Sequence, residues 1–327
     1  MENYRNIGEK SSFFKLVRIC NIDDLALRLE KLRQDAPRNF YRGIDNASYK
    51  MYSSLQRKFE ERKKITPQIT MPEFSNEILK KFNNSSVLMS AFRKEVASTD
   101  SDIAKWAFIQ HFSGPSHLVD FTDSVESALF FATGEGKTSM DYNEDVEDLE
   151  NYISLYALPD LSFFTSNFND MSEIDSEKGF EWAAELLAME PGISLSVQNE
   201  KEKILTQPLE PAHWGSSVYG DKPANITMPD NGEQKTVDYS NLHIRKQGGN
   251  FFAGKIDEVI PLEKSPRWHA QNGPIATCID IHKSLIPAIH EKFTIPERSA
   301  IYTCDEYLRE AKQELSELWR PKETQTQ

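Results

Sequence analysis

Between Trp106 and Thr133 the chain reads WAFIQHFSGPSHLVDFTDSVESALFFAT. A core strand followed by a packing helix needs only hydrophobes, yet this stretch sets an amide (Gln110), an imidazole (His111), a carboxylate (Asp120) and a hydroxyl (Thr122) in an apolar frame. Such groups either hold a polar ligand or lock backbone geometry through buried hydrogen bonds. A second stretch, NFYRGI at 39–44, presents Arg42 between Tyr41 and Gly43. Its guanidinium is a permanently charged planar fork suited to anions, and the missing side chain at Gly43 lets a ligand approach the backbone. The alternative for Arg42 is a pairing with Asp120 in the core. A third stretch, NLHIRKQGGNFFAG at 241–254, offers Gln247, Gly249 and Phe251. There the two glycines also suit a bulge or hairpin, with Phe251 and Phe252 filling core.

The elements that must position these groups follow from periodicity. NIDDLALRLEKLR is an amphipathic helix with Asp23 and Asp24 at its positive end, closed by Pro37 ahead of a strand at 38–44. Residues 71–96 repeat with a helical period broken at Asn83-Asn84-Ser85-Ser86, and a helix through SDIAKWAFIQHF stops at Gly114 and Pro115. SHLVDFT is then a strand, and Ser124 stands as N-cap of a helix through SVESALFFAT. NYISLYAL and PIATCIDI read as strands, SEKGFEWAAELLAME as a helix, and GISLSVQ as a further strand. KSLIPAIHEKF and CDEYLREAKQELSELW close the pattern as helices. An acidic loop follows Thr133, and residues 208–237, dense in Pro, Gly and Asn, read as an irregular excursion. Separated helices and short strands without βαβ alternation predict an α+β fold. One domain over 15–318, with a central, mostly antiparallel sheet of short strands and flanking helices, accounts for the pattern, and 319–327 form a disordered tail.

Composition narrows the chemistry. Of the 327 residues 38 are basic and 51 acidic, a net charge of -13 that disfavours nonspecific binding to nucleic acid or anionic lipid. With no apolar run long enough to span a bilayer and no apolar core behind MENYRNIGEKSSFF, no membrane partner and no leader are expected, which places the protein in the cytoplasm. Cys20, Cys278 and Cys304 form no C-x-x-C pair, and no histidine motif for zinc occurs, so neither a disulfide framework nor a metal is implied.

Three segments in order resemble the FRG domain family, named for a Phe-Arg-Gly motif. NFYRGIDNASYKMYSSLQRKF carries Tyr41, Arg42 and Gly43 at the motif, with SLQRKF similar to the family's PSLFR. IQHFSGPSHLVDFTDSVESALFFA resembles QHYGLPTRLLDWTxxPLxALFFA, and NLHIRKQGGNFF resembles NxRIxxQxGxF. His117 and His243 stand where the family commonly has arginine, and Ser116 where it has threonine, so two guanidinium forks are missing. The order of motifs is also similar to the layout of ADP-ribosyltransferases, in which an arginine, a hydroxyl residue and a glutamate gather round NAD from three strands. The resemblance implies Arg42 for the dinucleotide phosphates or ribose, Thr122 beside the nicotinamide ribose, and Gln247 at the glutamate's place. It makes Tyr41, Gly43, Gln110, His111, His117, Asp120, Gly249 and Phe251 ligand contacts.

Two functions stay open on these residues. One is an NAD-using, ADP-ribosyltransferase-like effector of toxin or defence type, with Glu126 as a substitute carboxylate and a protein or nucleic acid as acceptor. The other is a noncatalytic module that binds a nucleotide or peptide and triggers a partner. A metal-dependent nuclease is weaker, because no paired carboxylates stand at a recognisable spacing.

Overall fold

The structure, a computed structural model, describes residues 2–35, 39–95, 102–134, 143, 147–159, 216–217, 224–230, 233–239, 249–253, 259–264, 269–270, 273–274, 276–297 and 308–321. The predicted helix at 176–190 and strand at 192–198 lie outside these residues, as does Gln247.

In chain order the elements are α1 (Ile7–Ser11), β1 (Lys15–Ile19), α2 (Ile22–Asp35), β2 (Asn39–Ile44), α3 (Ser54–Ile65), α4 (Met71–Asn84), α5 (Ser86–Glu95) and α6 (Asp102–His111). They continue with β3 (Leu118–Thr122), α7 (Val125–Thr133), β4 (Tyr152–Pro159), β5 (Ser216–Ser217), β6 (Ala224–Asp230), β7 (Glu233–Tyr239) and β8 (Gly249–Ala253). The short strands β9 (His269–Ala270) and β10 (Gly273–Pro274) precede β11 (Thr277–His282), α8 (Ile286–Lys292) and α9 (Leu308–Glu317). Six strands form one sheet in the order β1-β11-β4-β2-β3-β8. Only β1 and β11 run parallel within it; the other neighbours are antiparallel, so the predicted α+β class with a mostly antiparallel sheet holds.

The sheet is buried on both faces, and alternation along β4 decides what each face touches. Ile153, Leu155 and Ala157 point to a core shared with Leu25, Leu29 and Leu32 of α2, Ala128, Leu129 and Ala132 of α7, and Ile286 and Ile289 of α8. Tyr152, Tyr156 and Leu158 point the other way, toward Tyr4, Phe14, Phe40, Met51 and Cys278. A third core is helical: α3 to α6 and α9 close round Phe82, Phe92 and Phe108, whose rings meet edge to face. Leu118 at the start of β3 joins this lobe to the sheet. Among the described residues no helix is long and apolar enough to cross a membrane.

Local chemistry accounts for the helix boundaries. Ser53 with Gln56, and Thr70 with Glu73, make capping boxes at α3 and α4, and the break between α4 and α5 falls at Ser85. The sequence reading left α1, β1 and α3 unassigned; these elements are short or carry long polar side chains, and tertiary packing selects them. It also read 208–237 as irregular, whereas β6 and β7 pair there as a hairpin from Ala224↔Tyr239 to Asp230↔Glu233. In the sequence Asn231 and Gly232, the dipeptide that favours a tight hairpin turn, stand between the two strands.

Two contacts fix the layers round the sheet. Lys10, fully buried on α1, donates to Ala47 O (2.8 Å), Ser154 Oγ (2.7 Å) and Asp280 Oδ1 (2.6 Å), so the ammonium finds an acceptor for each proton. Gly43 lets α7 approach β2: a Cβ there would lie 1.8 Å from the Ala128 carbonyl oxygen and 2.8 Å from Ala132 N. Lys10→Met should cost about 3–5 kcal/mol by stranding the Asp280 carboxylate in the core, and an unchanged urea midpoint would contradict that. Gly43→Ala should cost on the order of 3 kcal/mol, since backbone and not a flexible side chain must yield, and thermal unfolding of the variant measures it.

Candidate functional site

The three motif segments become three neighbouring strands. β2 pairs with β3 through Tyr41↔Thr122, and β3 pairs with β8 from Leu118↔Ala253 to Thr122↔Gly249. Tyr41, Thr122 and Gly249 thus lie in one row across the sheet, and Asp120 is opposite Phe251. No sequence separation predicts that adjacency, because the strands are brought together by long-range pairing.

Residues paired across strands project from the same face, and successive residues from opposite faces. Tyr41 and Thr122 therefore share the face covered by α7, and Arg42, opposite Tyr156, points from the other. Tyr41 belongs to the α2–α7–α8 core, and burial raises its phenol pKa. The space over Gly43 that a ligand was expected to use is occupied by the α7 backbone, so this glycine serves helix packing. Thr122 is 2 % exposed and its Oγ1 accepts from Ser124 N (3.0 Å), while Ser124 Oγ accepts from Ser127 N (3.0 Å) as the cap of α7. Both hydroxyls shape the strand-to-helix turn.

On the other face the ladder between β2 and β3 is a single pair, and beyond it the arginine takes over. Arg42 Nη1 donates to the main-chain oxygen of Asp120, and its guanidinium carbon lies 6.0 Å from the Phe121 ring centre. Arg42 therefore does meet Asp120, through its backbone. The Asp120 carboxylate accepts instead from Gln110 Nε2 (2.5 Å), and Ser54 Oγ lies 3.2 Å from Gln110 Oε1. Gln110, at the end of α6, thereby ties the carboxylate to the first turn of α3. Arg57 on α3 donates to Tyr52 O (2.6 Å) and acts electrostatically on both Arg42 and Asp120.

Asp120 and Arg57 are exposed residues, yet burial raises the Asp120 carboxyl pKa against the opposing charge of Arg42, and burial lowers those of Arg42 and Arg57. Asp120 stands two residues before Thr122 on β3, so its side chain leaves the sheet on the face opposite Arg42, and the influence of Arg42 and Arg57 on it is electrostatic. Arg57 was not singled out from the sequence, although it stands in the SLQRKF segment of the first motif.

Other expected contacts are elsewhere. His117 is 8 % exposed in the helical lobe, its Nε2 2.7 Å from Ser75 Oγ and its ring edge-on to Trp106. It is a core histidine, which explains why an imidazole suits the site better than a charged guanidinium. His111 ends α6 with its ring against Phe112. Glu126, the substitute carboxylate, is ion-paired with Arg33 at 2.8 Å. For Gly249 and Phe251 the strand register is described.

Strands β2 and β3, the four helices α3 to α6 between them and helix α7 lie within the stretch that a family comparison matches. Residues 37–141 match the family model of the FRG domain, which takes in the first two motifs and ends before the third. No curated protein and no solved structure matches the chain.

Burial pushes the His117 pKa down to about 4 from its ordinary 6.5. The folded state therefore binds this proton less readily than the unfolded chain, and the stability it contributes is present above pH 6.5 and lost as pH falls toward 4. His117→Gln should remove on the order of 3 kcal/mol of that pH dependence, and urea unfolding of parent and variant across the window measures the difference.

Proposed function

We propose that the protein is an NAD-using, ADP-ribosyltransferase-like intracellular effector whose ligand binds beside Arg42. The observation that carries this reading is the row formed by Tyr41, Thr122 and Gly249, which sets the three motif segments side by side. Cleavage of the nicotinamide glycosidic bond builds positive charge on the ribose, and a nearby carboxylate lowers the energy of that state. Asp120, held by Gln110, is the candidate carboxylate, and Arg42, which donates to the main-chain oxygen of Asp120, supplies a fixed charge for the phosphates. The role assigned by resemblance to Gln247 passes to Asp120 in this reading, because an amide orients a hydroxyl without contributing charge.

One observation favours the second reading, a binding module without catalysis. Thr122 projects from the face opposite Arg42 and its hydroxyl is engaged in the turn, so arginine and hydroxyl do not flank a common ligand.

Purified protein incubated with NAD labelled in the adenylate, with and without cell lysate, separates the two. Nicotinamide release or label transfer that falls at least about a hundredfold in Asp120→Asn supports the enzyme, since such electrostatic groups commonly contribute that much. Retention of an intact nucleotide through purification, with no turnover, supports the binding module. Neither turnover nor nucleotide binding by calorimetry ends both.

A further inference from the structure

We infer that Gln110 is the positioning residue of Asp120: its amide, oriented by the Ser54 hydroxyl, fixes the carboxylate so that Asp120 can accept from a hydroxyl group of the ligand. This inference deepens the nucleotide reading and rests on it for the identity of that hydroxyl. Asp120 is the one exposed residue of β3, between buried Val119 and Phe121. Aspartate suits a strand poorly, so a carboxylate at this place needs a reason. Gln110 Nε2 donates to Asp120 Oδ2 at 2.5 Å, and among the described residues no side chain donates to Oδ1.

The amide can face only one way. An ionised carboxylate accepts and does not donate, so a flipped Gln110 would set Oε1 against it, acceptor against acceptor. On the other side Ser54 Oγ, 3.2 Å from Oε1, already accepts from Ser116 N (2.9 Å), which leaves its proton to be shared among Gln110 Oε1, Gly114 O (3.1 Å) and Ser116 O (3.3 Å). These groups stand on anchored backbone. Ser54 opens α3 behind the Ser53–Gln56 capping box, Leu55 N donates to Ser116 O (2.9 Å), and Ser116 Oγ donates to Trp106 O (3.0 Å) while accepting from Leu118 N (3.2 Å). Helix α6 and strand β3 are therefore held to one another without the amide, and the bond from Gln110 is left to act on the carboxylate itself. A donor bonded to a carboxylate favours its charged form. The other charges acting on Asp120 are the guanidiniums of Arg42 from β2 and Arg57 from α3, which keep their protons throughout the carboxylate range, while His111 on α6 turns to Phe112 and Glu126 on α7 is paired with Arg33.

NMR titration of the Asp120 carboxyl carbon in the full chain reads the effect. Gln110→Met keeps the length of the side chain without a donor and should raise the titration midpoint by about one pH unit, as expected for loss of a hydrogen bond to a charged group. Gln110→Asn, an amide one methylene too short to reach, should do the same and serves where Gln110→Met does not fold. Ser54→Ala should raise the midpoint by less, and Ser54→Thr, which keeps the hydroxyl, should restore it. A merely structural Gln110 would lower the urea midpoint and leave the Asp120 titration where it is. An unchanged titration midpoint in a folded Gln110 variant overturns the inference, and an unchanged one in Ser54→Ala overturns the orienting role of Ser54. In the NAD assay the acid limb of the pH–rate profile should move up with the NMR midpoint. A raised carboxyl midpoint without NAD turnover keeps the positioning role and removes the transferase; NAD cleavage with an Asp120 midpoint indifferent to Gln110 does the reverse.

Discussion

The pairing of β2 with β3 stops after Tyr41 and Thr122, and the guanidinium of Arg42 satisfies the next strand's carbonyl in place of a backbone amide. A buried or crowded carbonyl must find a donor, and a side-chain donor frees the two backbones to part. It also places a cation where a continuous sheet would have only neutral peptide groups. Replacing a ladder hydrogen bond with an arginine therefore costs regularity and sets a charge between the strands.

The two faces of the sheet answer to different physics. On the α2–α7–α8 side the contacts are aliphatic, and Gly43 sets how close α7 comes. The opposite side mixes rings with ions: Lys10 and Asp280 are fully buried, Tyr4 donates to Glu263, and Lys50 meets Glu9 at 2.8 Å. The Lys50 ammonium is the main reason that the Glu9 carboxyl pKa falls to about 2. Buried ion pairs contribute little net stability over well-packed hydrophobes, but removing one partner is severe, so such a network specifies which segment covers which strand. Here it determines that the N-terminal helix seals the polar face. Arg42 projects from that same face, where charged groups are already tolerated.

Amphipathic period, capping residues and the Gly-Pro stop made α2, α4 to α7, β3, β4, β11 and the last two helices readable to within a few residues. The same local logic singled out Gln110, Asp120 and Arg42, which hydrogen bonds at the Asp120 carboxylate and main chain join in the structure. It did not single out Arg57, because a basic residue on a polar helix face resembles any solvated lysine or arginine until its surroundings are known. Tyr41, Gly43 and His117 pack against protein, and alternation along a strand gives parity but not which face is open. Gly43 shows the difficulty well: a missing side chain admits a ligand or a helix equally, and α7 lies some eighty residues further along.

By itself the sequence determined the elements, the class of fold and the set of polar groups able to bind an anion, because capping, periodicity and residue chemistry act over a few positions. Only the tertiary structure decided that β3 lies between β2 and β8, that Arg42 and Thr122 look to opposite sides, and that α7 fills the space over Gly43. Those outcomes depend on strand register and on which surfaces bury one another, and both are settled by contacts between distant segments.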